Sequence, residues 1–250
     1  MRYFIELRYN GTDFHGWQKQ QNAPSVQEKV EDALAKILRQ PVDLVGSSRT
    51  DSGVHAEQQF AHFETNAPFI DPQRVVHSLN LMLPKSIGVR RIVGVKQDAH
   101  SRFAATHRCY EYRIVRQKNP FLTNLSSVFL LDLDVAVMNE AAALLLQHED
   151  FTCFSKIHTD VKTFLCQIEY AFWEQRPEQL VFCIKSNRFL RGMVRAIVGT
   201  LLQIGLGRSS KADFEAIILS KNRQNAAAQA PAEGLFLTEV GYIWEEILEQ

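Results

Sequence analysis

Arg49 and Asp51 lie two residues apart in a run of small and turn-forming residues from Val45 to Ala56. β-Prone runs precede and follow it, so the pattern predicts a turn between two strands, where Gly53 can adopt positive φ. A neighbouring guanidinium favours the ionised form of a carboxylate. A fixed, ionised and accessible Asp51 would be a nucleophile or a base. A surface turn with a structural ion pair explains the same residues.

The elements around this turn follow from periodicity and from capping residues. Ser25 and Glu28 form a capping-box pattern before an amphipathic run, and Asp71-Pro72 is typical of a helix start. The first half of the chain is therefore predicted to contain, in order, a strand, a helix, two strands, a helix and a strand. The expected bounds are 2–9, 25–39, 42–45, 54–65, 71–84 and 87–97.

The same order of elements recurs after a polar linker over 98–107. The expected strands are 108–116, 164–174, 180–186 and 235–244, and the expected helices begin at Asp134, span 188–205 and span 211–219. Tyr110 and Tyr112 share one face of their strand, where aromatic rings are either core or a platform for a base. The sequence thus predicts an α+β fold of two tandem ferredoxin-like βαββαβ halves, 1–98 and 108–250, with antiparallel sheet around a central cleft.

Basic side chains are concentrated in two places. Arg188, Arg191 and Arg195 are spaced i, i+3 and i+7, so on the predicted helix over 188–205 they would form one stripe, and guanidinium groups match phosphate oxygens. No Asp or Glu lies between Arg188 and Arg208, which makes an ordinary solvated face a poorer explanation. The second cluster comprises Arg102, His107, Arg108, Arg113 and Arg116. These clusters offset the formal net charge of zero, which alone argues against nucleic-acid binding.

Composition and motifs restrict the other function classes. The 250 residues are 46% hydrophobic and 22% charged, as in an ordinary globular protein, without an apolar run long enough for a membrane span. Four widely spaced cysteines without a C-x-x-C pair indicate reduced thiols and a cytoplasmic protein. His15, His55 and His62 lack metal-ligand spacing, and there is no dinucleotide-binding or P-loop motif, so neither metal nor cofactor is expected. His55 is expected to be structural.

Two other functions are compatible with parts of the pattern. Asp51-Ser52-Gly53 matches the D-[ST]-G triplet of aspartic proteases, which need two such loops that share a proton. This chain has one triplet, so a protease would have to be a dimer, and Arg49 would prevent proton sharing. A non-catalytic RNA-binding module is the other alternative, since RRM domains also combine a ferredoxin-like sheet with aromatic residues, although their R-G-[FY]-[GA]-F signature is absent.

Five segments, in order and spread over nearly the whole chain, resemble the TruA-type tRNA pseudouridine synthases. They are Tyr9–Gln18 (YNGTDFHGWQ), Ser48–Ala56 (SRTDSGVHA), Ser101–Ala105 with Arg108–Tyr112 (SRFAA and RCYEY), Asn187–Arg195 (NRFLRGMVR) and Ala230–Leu237 (APAEGLFL). Ser48 stands where the family has glycine and Ser52 where it has alanine. Both are small, so the turn should survive, but Ser48 could not take positive φ without strain.

The resemblance implies a fold, a reaction and roles for single residues. Asp51 would be the catalytic aspartate, Arg49 its ion-pair partner, and Tyr110 the ring that stacks on the target uracil and serves as a general base. Arg191 and Arg195, with Arg188 and Arg102 as further candidates, would contact RNA in the cleft. The implied substrates are uridines 38 to 40 of the tRNA anticodon stem-loop, and the implied enzyme is a homodimer without cofactor or metal. Whether Asp51 attacks ribose or uracil stays open.

Overall fold

A computed structural model describes residues 1–69, 71–156 and 162–249. Within these ranges the chain is a mixed α+β protein with nine strands and six α-helices. The strands are β1 (Arg2–Tyr9), β2 (Val45–Gly46), β3 (His55–Glu64), β4 (Ile87–Val95), β5 (Ala105–Val115), β6 (Ser127–Val128), β7 (Ile168–Arg176), β8 (Gln179–Ser186) and β9 (Leu235–Tyr242). The helices are α1 (Val26–Leu38), α2 (Pro72–Met82), α3 (Val135–Ala142), α4 (Met193–Gly205), α5 (Lys211–Ser220) and α6 (Trp244–Ile247).

The chain forms two compact units. The first unit comprises Met1–Thr106 with Leu237–Gln250, and the second comprises His107–Phe236. None of the helices in the described ranges is both long enough and apolar enough to span a membrane.

The first unit contains the predicted turn with Arg49 and Asp51. Its strands follow the order β4-β1-β3-β9, with β2 paired to β3, and β1 is antiparallel to both β3 and β4. The Ser25 side chain accepts the Glu28 N–H at the start of α1, as the capping pattern predicts. The register places Tyr9, at the end of β1, opposite Ala56 at the start of β3. The end of β1 is thereby next to the strand that leaves the turn.

The second unit contains Tyr110 and the arginines of the segment Asn187–Arg195, which resembles the family's fourth motif. Its strands follow the order β5-β8-β7 with antiparallel pairing, and β6 is parallel to β5. Asp134 caps α3, and Ser210 with Asp213 forms a complete capping box at α5. The interior is filled by large side chains that are fully buried: Tyr112, Phe151, Phe154, Phe182 and Phe214.

Most predicted elements are confirmed, but some bounds differ, and the short strand β6 is not predicted. The strand expected over 164–174 is β7, Ile168–Arg176. The strand that enters the turn is short, Val45–Gly46, where 42–45 was expected, and the last strand ends at Tyr242, two residues before the predicted end. The short helix α6 follows, which the periodicity does not predict. Helix α4 begins at Met193 where a start at 188 was expected, and this changes the placement of the arginines described below.

Candidate active site

The turn between β2 and β3 presents Asp51. Asp51 is half-buried, Arg49 before it is exposed, and Thr50 between them is buried. Gly53 has a φ of 77°, which confirms that the reversal uses the left-handed conformation that glycine favours. The Val54 N–H donates to the Asp51 carbonyl at 3.2 Å and closes the turn. The sequence prediction of a tight strand-to-strand turn around Asp51 is confirmed.

A buried amide fixes the base of the turn. The Gln59 side chain accepts the Ser47 hydroxyl at 2.8 Å and donates to the Ser48 carbonyl at 2.8 Å. Gln59 has no exposed surface. Gln59 is not among the residues predicted from the sequence; its signal there is a polar residue in line with the apolar Ala61 and Phe63 on one face of β3.

The segment Tyr9–Gln18, at the end of β1, lies directly against the turn. It is the first of the five segments that resemble the family. Two hydrogen bonds between main-chain groups make the connection, Trp17 N–H to Thr50 O (3.2 Å) and Gly53 N–H to Phe14 O (3.2 Å). A third joins the Gly11 N–H to the ring atom Nδ1 of His55 at 3.0 Å. His55 is 1% exposed, and this bond supports the structural role expected for it. The first motif therefore supplies the surroundings of Asp51.

Close approach of the two segments requires glycine at position 16. Gly16 has a φ of 93°, and a Cβ on it would lie 2.5 Å from the Thr50 carbonyl oxygen. Backbone atoms cannot move aside as a flexible side chain can, so any larger residue would push this segment away from Thr50. The motif's Gly-Trp pair thus lets the chain pass beside the residue that precedes Asp51.

The two serines that depart from the family pattern fit the turn. Ser48 is not among the described residues with positive φ, so serine in place of glycine introduces no strain there. Ser52 is exposed, and its hydroxyl lies 3.4 Å from the Phe14 carbonyl oxygen. The expectation that the turn survives both departures is confirmed.

Tyr110 lies on β5 in the second unit, opposite Ile184 of β8. It is 8% exposed, and the Phe189 ring packs edge-on against it, with centroids 5.1 Å apart and an interplanar angle of 87°. Tyr112 is a core residue whose hydroxyl donates to the Pro231 carbonyl at 2.9 Å, and burial raises its pKa. Of the two tyrosines on this face, Tyr110 is the one that keeps some exposed surface.

The predicted stripe of Arg188, Arg191 and Arg195 on one helix face is wrong. Helix α4 begins at Met193, so Arg188 and Arg191 lie in the segment before it and Arg195 in its first turn. The residue before the helix, Gly192, has a φ of 70°, and this left-handed conformation ends the helical path toward the N-terminus. Arg188 is half-buried and Arg191 is exposed.

Arg195 takes part in packing. Its Nε donates to the Ala230 carbonyl at 2.7 Å, while the Ala230 N–H donates to the Arg195 carbonyl at 2.9 Å. The start of α4 is thereby joined to the segment of the fifth family-like motif. A contact of Arg195 with RNA stays a prediction beside this observed structural role.

The second basic cluster is largely engaged within the protein. Arg108 is buried and donates to the Asn187 carbonyl, Arg113 pairs with Glu111 at 2.6 Å, and Arg116 pairs with Asp132. Arg102 is exposed, and its guanidinium lies 5.8 Å from the centroid of the Phe103 ring.

The segment that carries Arg102 is anchored by buried polar groups. The Ser101 hydroxyl donates to the Val45 carbonyl at 2.6 Å, and the Ser101 N–H donates to His62 Nδ1 at 3.2 Å. Burial, assisted by the nearby His100 and Arg2, lowers the pKa of His62 to about 4. His62 is therefore neutral at pH 7 and accepts this hydrogen bond.

Three of the four cysteines are poor nucleophiles. All four are buried free thiols, at Cys109, Cys153, Cys166 and Cys183. Burial raises the pKa of Cys153, Cys166 and Cys183 to about 12, so these thiols stay protonated.

The comparisons with known proteins agree with one another. A family model described as tRNA pseudouridine synthase matches residues 7–104 and 141–243, ranges that include the Asp51 turn and its supporting segment, while Tyr110 lies between them. A protein named tRNA pseudouridine synthase A from Parabacteroides distasonis is 48% identical to this chain, over 96% of the chain and 96% of that protein. The protein of the same name from Porphyromonas gingivalis is 49% identical, over 96% of the chain and 97% of that protein. The protein of that name from Chlorobium chlorochromatii is 37% identical, over 95% of this chain and 98% of its own length.

Proposed function

This chain belongs to the tRNA pseudouridine synthase family and is an isomerase, and we propose that it converts uridine to pseudouridine at positions 38 to 40 of the tRNA anticodon stem-loop. The observation that carries the proposal is the turn around Asp51, where hydrogen bonds fix the backbone on both sides of a half-buried carboxylate. A rigid turn between strands holds a reactive group in one orientation without further ordering on binding.

The proposed reaction leaves the atom count unchanged. The bond between uracil N1 and ribose C1′ breaks, the base turns, C5 bonds to C1′, and the proton lost from C5 is balanced by one gained at N1. Asp51 acts as nucleophile or base, at the ribose or at the uracil, and Arg49 is its ion-pair partner. The reaction consumes no oxidant, reductant or water, so we propose that it needs no cofactor.

Tyr110 is proposed to stack on the target uracil and to take the proton from C5. Its contact with Phe189 supports this role, because an edge-on aromatic neighbour restricts the rotation of the ring. The target base would have to leave the helical stack to reach both Tyr110 and Asp51, as bases do in other enzymes that modify them.

The tRNA backbone is proposed to bind to Arg102, Arg188, Arg191 and Arg195. Arg102 and Arg191 are exposed, which supports phosphate contacts by these two side chains. Arg195 would add such a contact to its bond with Ala230. Because the net charge is zero, local placement of arginine has to provide the attraction.

We further propose two tandem ferredoxin-like halves, residues 1–98 and 108–250, around an RNA-binding cleft. In the first unit β4, β1 and β3 are neighbours in this order and β2 pairs with β3, and these antiparallel pairings support a ferredoxin-like half. The proposal includes a homodimer in the cytoplasm, and the free cysteines support a reducing compartment.

The decisive assay measures isomerisation directly. The purified chain is incubated with anticodon stem-loops that carry C5-tritiated uridine at position 38, 39 or 40, or at a loop position outside this range, and tritium release is followed. We expect release from positions 38 to 40 and none from the control. Tight binding without release would favour the RNA-binding module, and release from the control alone would contradict the proposed positions.

A further inference from the structure

Tyr9 and Thr50 form a buried side-chain hydrogen bond beside the proposed catalytic carboxylate. The Tyr9 hydroxyl lies 2.8 Å from Thr50 Oγ1. Tyr9 is 4% exposed and Thr50 is 8% exposed, so water does not replace this bond easily. The two residues are 41 positions apart, and Thr50 directly precedes Asp51.

The strand geometry at Tyr9 is irregular. The pairing of β1 with β3 shifts register between Leu7, which faces Gln59, and Tyr9, which faces Ala56. Such bulges change the direction of a side chain and are frequent beside active sites. The Tyr9 ring also packs near Trp17, with centroids 6.2 Å apart. The end of β1 thus departs from regular pairing at the residue that reaches the Asp51 turn.

Thr50 is held at two points. Its hydroxyl bonds to Tyr9, and its carbonyl accepts the Trp17 N–H at 3.2 Å. The peptide that leads into Asp51 therefore has a side-chain anchor as well as a backbone anchor. Because an error of about 1 Å in the position of a reacting group can cost on the order of a hundredfold in rate, this anchor bears on catalysis.

We propose that Tyr9 is a positioning residue for the isomerisation, acting through Thr50 to fix the orientation of the Asp51 carboxylate. The inference rests on the proposed function, in which Asp51 carries the chemistry. It assigns Tyr9 no contact with the substrate. A substitution that removes only the Tyr9 hydroxyl should therefore reduce kcat and leave KM nearly unchanged.

Tyr3 provides a matched control on the same strand. It is 7% exposed, and its hydroxyl accepts the Phe69 N–H at 3.0 Å at the opposite end of β1. Tyr3→Phe and Tyr9→Phe each remove one nearly buried hydroxyl from β1. A purely structural role predicts similar effects of the two changes on melting temperature and on activity.

The test is a double-mutant cycle with Tyr9→Phe and Thr50→Val, in which the rate is measured over stem-loop concentrations from below KM to saturation. Each single variant should lower kcat by about tenfold to a hundredfold with KM within about twofold of wild type. The double variant should be no slower than the slower single variant, because both changes remove the same bond. Thr50→Ser, which keeps the hydroxyl, should restore most of kcat, and Tyr3→Phe should leave kcat unchanged.

The inference is overturned if Tyr9→Phe and Tyr3→Phe have the same kcat, or if the two effects multiply in the double variant. If Tyr9→Phe does not fold, the contrast between Thr50→Val and Thr50→Ser decides, and equal kcat values for these two overturn it. An active Asp51→Asn enzyme would overturn the proposed role of Asp51 and this inference with it. An inactive Asp51→Asn enzyme beside an unaffected Tyr9→Phe enzyme would overturn this inference alone.

Discussion

Replacement of Asp51 by asparagine tests the proposed chemistry most directly. The amide keeps the size of the side chain but carries no charge and is a poor nucleophile and base. We expect Asp51→Asn to reduce pseudouridine formation by on the order of a thousandfold or more, as loss of a reacting group does in other enzymes.

The structure limits the effect of this substitution on folding. The turn is held by backbone and side-chain groups of neighbouring residues, and the hydrogen bond from Val54 uses the Asp51 carbonyl, which asparagine retains. The carboxylate itself is half-buried, so loss of its charge should change the free energy of unfolding by about 1 kcal/mol or less. Binding to tRNA should change by less than about threefold, because phosphate and stacking contacts dominate affinity.

Three measurements on purified proteins separate these effects: tritium release from C5-labelled stem-loops, filter binding of the same RNA, and urea unfolding. Asp43→Asn is the matched control, because Asp43 is exposed and lies just before β2 in the same unit. It should behave as wild type in all three assays. If Asp51→Asn keeps more than a few per cent of wild-type activity, the carboxylate is not the reacting group.

Other substitutions test the remaining roles. Arg49→Ala should lower kcat without abolishing activity, because Asp51 stays in place but loses its proposed partner; complete loss would show that Arg49 has a more direct role. Arg191→Ala with Arg195→Ala should reduce the log–log salt slope of tRNA binding by about 0.7 to 0.9 for each lost phosphate contact, and an unchanged slope in a folded double variant would contradict these contacts. The pKa of His62 is about 4 in the folded protein and 6.5 in the unfolded chain. Between pH 6.5 and pH 4 the unfolded chain therefore binds a proton at His62 that the folded protein does not bind. The free energy of unfolding should therefore fall by about 3 kcal/mol as pH decreases through this window, and His62→Gln should remove that part of the fall in urea titrations; an identical pH dependence in both proteins would refute the assignment.

Local signals were sufficient to predict most elements of the fold. Ser25 and Asp71 accept backbone N–H groups at the helix starts where their patterns placed them, and Gly53 has the left-handed conformation expected at the turn. These features depend on a few consecutive residues, so the sequence contains the information directly.

The start of α4 shows where local signals fail. The apolar spacing of Phe189, Met193 and Ile197 continues a helical pattern upstream of the true first turn. The helical spacing of apolar residues does not predict the φ of a glycine between them, and tertiary packing decides whether that glycine ends a helix. At this position Gln229 donates to the Gly192 carbonyl at 3.3 Å, a contact between residues 37 positions apart.

The surroundings of Asp51 follow the same principle. The residue types predict a reactive carboxylate, but the contacts that hold it come from a segment about 40 residues earlier, and many of them use main-chain atoms that leave little trace in the sequence. Two residue types in that segment do reflect these contacts. Position 16 is glycine because a Cβ would collide with Thr50, and position 9 is a tyrosine whose hydroxyl bonds to the Thr50 side chain. The segment Tyr9–Gln18 therefore contributes to the site by close packing and by hydrogen bonds. Substitution can test its effect on catalysis only where one of its side chains makes the contact. That makes Tyr9 and Thr50 the pair through which positioning of Asp51 can be separated from its chemistry.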